Sequence, residues 1–144
     1  MAVQQKAVDQ QQMAADFEAA YKSHDMSDMT RVAHKYAAPE YVEEWPQSGE
    51  RLSLENSLKL LDHYAEMAGT GTPPKFSYKR MLGGGNVFVV EGSIDYGDGT
   101  PVSYVGIGEV RDGKVARMTE YFANPFEAPA WRADFVERMD PVTA

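Results

Sequence analysis

KFSYKRMLGGGNVFVVEGSIDYGDGTPVSYVGIGEVRDGKVARMTEYF, residues 75–122, decides the fold. Within it the polar and apolar residues alternate with a period of two, as they do in strands that turn one face to an interior. Four strands are predicted, over 76–82, 86–96, 101–111 and 114–122. Their connections are Gly83-Gly84-Gly85, Gly97-Asp98-Gly99 and Asp112-Gly113. These residue types reach the backbone conformations that tight antiparallel hairpins need, and Asp112-Gly113 is the sharpest of the three signals.

Upstream the period becomes helical. Met13, Phe17, Ala20, Tyr21 and His24 form one stripe of a helix over the first 24 residues, behind a polar Gln-rich start. Asp25, Ser27 or Asp28 can cap a second helix running to about Tyr36, with Met29, Val32, Ala33 and Tyr36 inward. Pro39 ends it. A strand over 41–47 is halted by Pro46 and a Ser48-Gly49 turn. Ser53 then caps a third helix, whose stripe is Leu54, Leu58, Leu61, Ala65 and Ala68, stopped by the Gly- and Pro-rich run 69–74. After the last strand, a tail with Pro125 and Pro129 carries a short helix over 131–139, too apolar for a loose end. The fold class is α+β: three N-terminal helices packed on a strongly curved antiparallel sheet.

At 144 residues the chain reads as one domain, 1–144, long enough to bury about 70% of its unfolded surface. A net charge of −8 with no basic cluster opposes nucleic acid and anionic membranes as partners. No apolar run approaches a membrane span, and the first residues lack a secretory pattern. The absence of cysteine excludes thiolate chemistry and fits a cytoplasmic protein. The three histidines are too scattered for local metal spacing, so neither a metal nor another cofactor is expected.

Two acids stand out. Glu43 and Glu44 precede Trp45 on a strand, where only one of them can face the interior. Glu120 shares a strand face with Ala116, Met118 and Phe122, and a lone acid on an apolar face is anomalous. An ionised, unpaired carboxylate there would cost several kcal/mol, so such an acid either holds its proton or works. The plainer reading of Glu120 is a buried structural pair, with Arg132 or a tyrosine hydroxyl. His24 reads as a structural histidine; His34 and His63 fall off their apolar stripes. Tyr21, Tyr36, Trp45, Tyr64 and Trp131 can line a pocket or simply fill a core.

The order of elements, the Glu-Trp-Pro-Gln-Ser-Gly-Glu turn (44–50), the Asp-Gly-Lys hairpin (112–114) and the closing Tyr-Phe-Ala-Asn-Pro-Phe-Glu-Ala-Pro-Ala-Trp-Arg (121–132) resemble the SnoaL-like branch of the nuclear transport factor 2-like superfamily. The resemblance runs from about Met13 to Glu137. It implies a cone with an internal apolar pocket and a homodimer packed through the sheet. Function is left open, because that fold hosts isomerases, polyketide cyclases, epoxide hydrolases, dehydratases and non-catalytic binders.

Position by position, the resemblance to ketosteroid-isomerase-like members makes Glu44 the base. It puts Phe17 where their tyrosine donor stands and Val105 near their second donor. A standard steroid isomerase is therefore disfavoured, since each such donor is worth about 10²–10³ in rate. The cyclase-like members place an acid close to Glu120. The Asp-Arg-Asp set of the epoxide hydrolases is not assembled here. The expected site thus has Glu44 and Glu120 as catalytic acids. Phe17, Tyr21, Tyr36, Trp45, Gln47, Met118 and Trp131 surround a small apolar organic ligand, with Trp131 as a lid. The expected activity is a cofactor-independent isomerase, cyclase or lyase; the alternatives are a non-catalytic binder and an interaction module of the same fold.

Overall fold

The structure is a computed structural model that describes residues 2–67 and 74–141. Helices α1 (Ala2–Lys22), α2 (Met26–Tyr36) and α3 (Leu54–Met67) accompany six strands. These are β1 (Ala37–Trp45), β2 (Glu50–Ser53), β3 (Lys75–Gly84), β4 (Val87–Asp95), β5 (Pro101–Arg111) and β6 (Lys114–Ala123). The expected stop of α3 over 69–74 falls mostly outside the described residues, as do the side chains of Leu61, Tyr64, Ala65 and Ala68.

The four-strand meander is present as expected, in the sheet order β2-β1-β6-β5-β4-β3. Asp112 (φ 50) and Gly113 (φ 75) both adopt the left-handed conformation that the β5–β6 hairpin requires. Register shifts at Tyr78/Arg80 and Glu109/Val110 bend the sheet, because a bulge adds local twist. The Ser53 hydroxyl accepts the Asn56 N–H at 3.2 Å, which makes it the cap of α3.

The sequence reading differs from the structure at β1 and β2. The stretch after the Ser48-Gly49 turn forms a strand, β2, antiparallel to β1. β1 itself begins at Ala37, directly after α2, and carries Pro39 within it. It runs parallel to β6, with Ala37 opposite Val115 and Val42 opposite Arg117, and bulges between those rungs. The bulge accommodates Pro39, which has no N–H to give a ladder. The sheet is therefore antiparallel except where β1 closes onto β6.

Helix α1 lies against β3 and α2, and its stripe is buried: Met13, Phe17, Ala20 and Tyr21 pack with Val32, Phe76, Val90, Ile94 and Tyr104. His24 follows α1 in the left-handed region (φ 59), and its Nδ1 lies 2.5 Å from the Phe76 carbonyl oxygen. That contact pins the α1–α2 turn to β3, in keeping with a structural histidine. The tail departs most from expectation. It forms a 3₁₀ turn over Ala130–Phe135, with Phe126, Trp131, Phe135 and Met139 largely exposed.

Candidate functional site

The sheet and helices enclose a cavity of about 150 Å³. That size is comparable with engineered apolar cavities that take up a benzene molecule. Its wall is largely aromatic: Phe17 and Tyr21 come from α1, Tyr41 and Trp45 from β1, Phe76 from β3, Tyr104 from β5 and Phe122 from β6. Leu54, Ser57 and Leu58 of α3 close one side. Two carboxyl groups, Glu43 and Glu120, face this interior, and no Lys, Arg or His is among its described lining residues.

Strand alternation explains which acid of the pair at 43 and 44 enters. Tyr41, Glu43 and Trp45 share the cavity face of β1, so Glu44 must point the other way. Glu44 does so, standing 3.4 Å from Arg51 and 3.5 Å from Arg117, which itself reaches Glu109 at 3.7 Å. The placement of Glu44 in the pocket is thus corrected: Glu43 occupies it. The signal for Glu43 is its bracketing by two aromatic residues on one strand face.

Glu43 and Glu120 meet at one common donor. The indole Nε1–H of Trp45 lies 3.1 Å from Glu43 Oε1 and 3.2 Å from Glu120 Oε1, and so is shared between them. Ser57 donates its hydroxyl to Glu43, and Tyr104 donates its hydroxyl to Glu120. The result is a continuous chain from β5 through β6 and β1 to α3.

Burial first, then the hydrogen bond and charge of Glu43, push the Glu120 carboxyl well above its ordinary range, against the opposing donation by Tyr104 and Trp45. Glu120 therefore keeps its proton well beyond the pH at which an exposed glutamate loses it. Burial and the nearby acids likewise hold the Tyr104 and Tyr21 phenols well above their ordinary values, so both stay protonated. An acid and an acceptor side by side in an apolar enclosure can move a proton to and from an enclosed organic molecule.

Phe17, Tyr21, Trp45, Met118 and Glu120 all line the cavity. Three other expected residues do not. Tyr36 packs on Phe17 from behind, at 5.9 Å between ring centroids, and gives its hydroxyl to Asp16. Gln47 accepts the Phe122 N–H at 2.6 Å, tying the β1–β2 turn to the end of β6. Trp131 is 76% exposed on the tail and is not among the described residues that line the cavity. Besides Glu43, the polar residues that sequence reasoning missed include Tyr41, on the same face of β1, Ser57, a small polar residue within the apolar side of α3, and Tyr104, hidden among the alternating residues of β5.

A mostly antiparallel sheet curled around an aromatic, acid-bearing cavity, with three helices to one side, defines a SnoaL-like pocket fold. The SnoaL-like domain model matches residues 14–118, and the chain belongs to that family within the nuclear transport factor 2-like superfamily. The chain is similar to a nuclear transport factor 2-like protein of unknown function from Burkholderia xenovorans LB400, at 31% identity and a TM-score of 0.69, covering 92% of this chain and 96% of that one. It is also similar to a candidate ketosteroid isomerase from Kribbella flavida DSM 17836 (21% identity, TM-score 0.68, covering 94% and 93%). A candidate polyketide cyclase from Streptomyces antibioticus, IdmH, shares the fold at 14% identity and a TM-score of 0.56, covering 78% and 91%. No curated protein matches the sequence. No helix among the described residues is long and apolar enough to cross a membrane, and no described cluster of side chains is suited to hold a metal ion.

Proposed function

We propose that this protein is a cofactor-independent enzyme of the isomerase, cyclase or lyase kind, acting on a small, largely apolar organic molecule. One observation carries the reading: Glu43 and Glu120 share one indole N–H inside an aromatic cavity whose described lining holds no cation. Glu43 accepts a proton from the substrate, and Glu120 holds the proton that is returned. The aromatic wall supplies affinity and excludes water, which strengthens both groups. The solved relatives with isomerase and cyclase names support the class of reaction, not the substrate.

The test is exchange of the α-protons of small ketones in D₂O, followed by NMR with wild type, Glu43→Gln and Glu120→Gln. Catalysed exchange lost in both variants supports the reading. Exchange at the buffer rate in wild type across a panel of ring-sized ketones removes it.

A second reading, a binding protein without chemistry, draws on the fact that both acids are already satisfied by Ser57, Tyr104 and Trp45. It requires ligand-induced thermal stabilisation that survives both substitutions. For assembly we propose a homodimer, in which a second copy covers exposed apolar side chains such as Leu82, Val87, Phe126 and Trp131. Sedimentation giving a monomer at micromolar concentration would exclude it.

A further inference from the structure

The hydrogen-bond donors of the cavity are mostly committed to the protein itself. Ser57 serves Glu43, Tyr104 serves Glu120, and Trp45 serves both. Tyr41 differs. Its side chain lines the same cavity, two residues before Glu43 on one face of β1. No described residue makes a hydrogen bond with its hydroxyl. That hydroxyl is on the cavity wall and is not among the fully buried polar atoms, so a ligand entering the cavity can reach it. Burial first, and then the neighbouring acids, push this phenol well above its ordinary value, so it remains a neutral donor.

We propose that Tyr41 is the ligand's hydrogen-bond donor and that the ligand offers it a neutral carbonyl oxygen. The surrounding chemistry selects that group. An anionic ligand would meet two acids and no described cation. A carbonyl needs one donor and brings none of its own, which matches one unspent O–H. Deepening the acid–base reading on which it rests, the assignment also supplies what Phe17 cannot give from α1. When the carbon next to the carbonyl passes its proton to Glu43, the C–H electron pair moves towards oxygen. The Tyr41 O–H is then already aimed at the charge that develops, and it keeps its own proton. Return of a proton to carbon restores both acids.

The experiment compares acetophenone with ethylbenzene, near-isosteres differing in the oxygen, on wild type, Tyr41→Phe and Glu44→Gln. Affinity is measured by NMR titration, and the carbonyl stretch of ¹³C-labelled acetophenone by infrared difference spectroscopy. Wild type should favour acetophenone, with a stretch lowered from its value in hexane. Tyr41→Phe should weaken acetophenone about tenfold, leave ethylbenzene unchanged and return the stretch towards the hexane value. Glu44→Gln, on the opposite face of β1, should keep both the preference and the lowered stretch.

An unchanged preference and stretch in Tyr41→Phe overturns the donor assignment. So does a wild type that binds neither probe, or whose bound ketone absorbs as it does in hexane; that last result stands even if the variant misfolds. Loss of the preference in Tyr41→Phe, with no proton exchange by wild type, keeps the donor and discards the acid–base reading. Exchange that needs Glu43 but ignores Tyr41 does the reverse.

Discussion

The indole N–H of Trp45 stands between two carboxyl groups, 3.1 Å from Glu43 Oε1 and 3.2 Å from Glu120 Oε1, although Glu120 lies 75 residues further along the chain. A single donor shared by two acids lowers the proton affinity of whichever one ionises. Trp45→Phe removes it and keeps most of the ring. The Glu120 carboxyl should then titrate at still higher pH. A ¹³C NMR titration of the carboxyl carbons checks this, and a downward shift would contradict the shared-donor geometry.

Stability should depend on pH at both ends for different reasons. Glu120 binds its proton more tightly folded than unfolded, so its contribution is fully present below its unfolded value, near 4.5. Above that pH the unfolded state has lost a proton that the folded state retains. Stability should then fall by up to about 1.4 kcal/mol per pH unit until the folded Glu120 also ionises. Glu120→Gln should flatten that slope in urea melts recorded from pH 5 upward.

Asp16 acts at the other end. The Tyr36 hydroxyl, then Lys35 and Gln12, hold its carboxyl down at about 2 against an ordinary 3.8. Its contribution is present above pH 3.8 and is lost as pH falls towards 2. Asp16→Asn should remove that acid-side loss and leave the slope above pH 5 untouched.

Glu43 and Glu44 are adjacent yet occupy different surroundings, and substitution separates them. Glu44→Gln leaves the cavity intact and disturbs an ion-pair cluster with Arg51 and Arg117, at about 1 kcal/mol or less for partly exposed arginines. Ligand binding and any proton exchange should be unchanged. Glu43→Gln should abolish exchange with little change in melting temperature. The opposite pattern would put the wrong face of β1 inward.

Gly106 has no side chain because Tyr104 needs the space: a Cβ there would collide with the Tyr104 hydroxyl and crowd Met118. Gly106→Ala should displace that hydroxyl from Glu120 and cost about 1–3 kcal/mol as overpacking. A crystal structure of the variant checks the displacement.

Much of this architecture was legible from period and turn chemistry. The glycine-bearing hairpins between 83 and 113 announced the meander, and the stripe from Met13 to Tyr21 announced α1. What escaped was non-local. β2 is four residues long, and its Glu-Arg-Leu-Ser sequence carries no alternation. Its existence depends on β1 being alongside. The parallel closure of β1 onto β6 leaves no mark in either strand. Glu120 was identifiable because its strand neighbours are apolar, whereas Glu43 was legible only with Tyr41 and Trp45 counted as one face. The exposed aromatic residues of the tail looked like core because apolar content alone says nothing about what covers it.

The parallel seam between β1 and β6 has a kinetic consequence. The hairpins of the meander can zip up locally, but the seam joins Val42 to Arg117 and must wait for a long loop to close. Until then the two acids lie apart in water, and the enclosure that holds the Glu120 proton does not exist. Completion of the sheet should therefore be a late event that takes up a proton at neutral pH. In alkaline solution it should be the slow step of refolding.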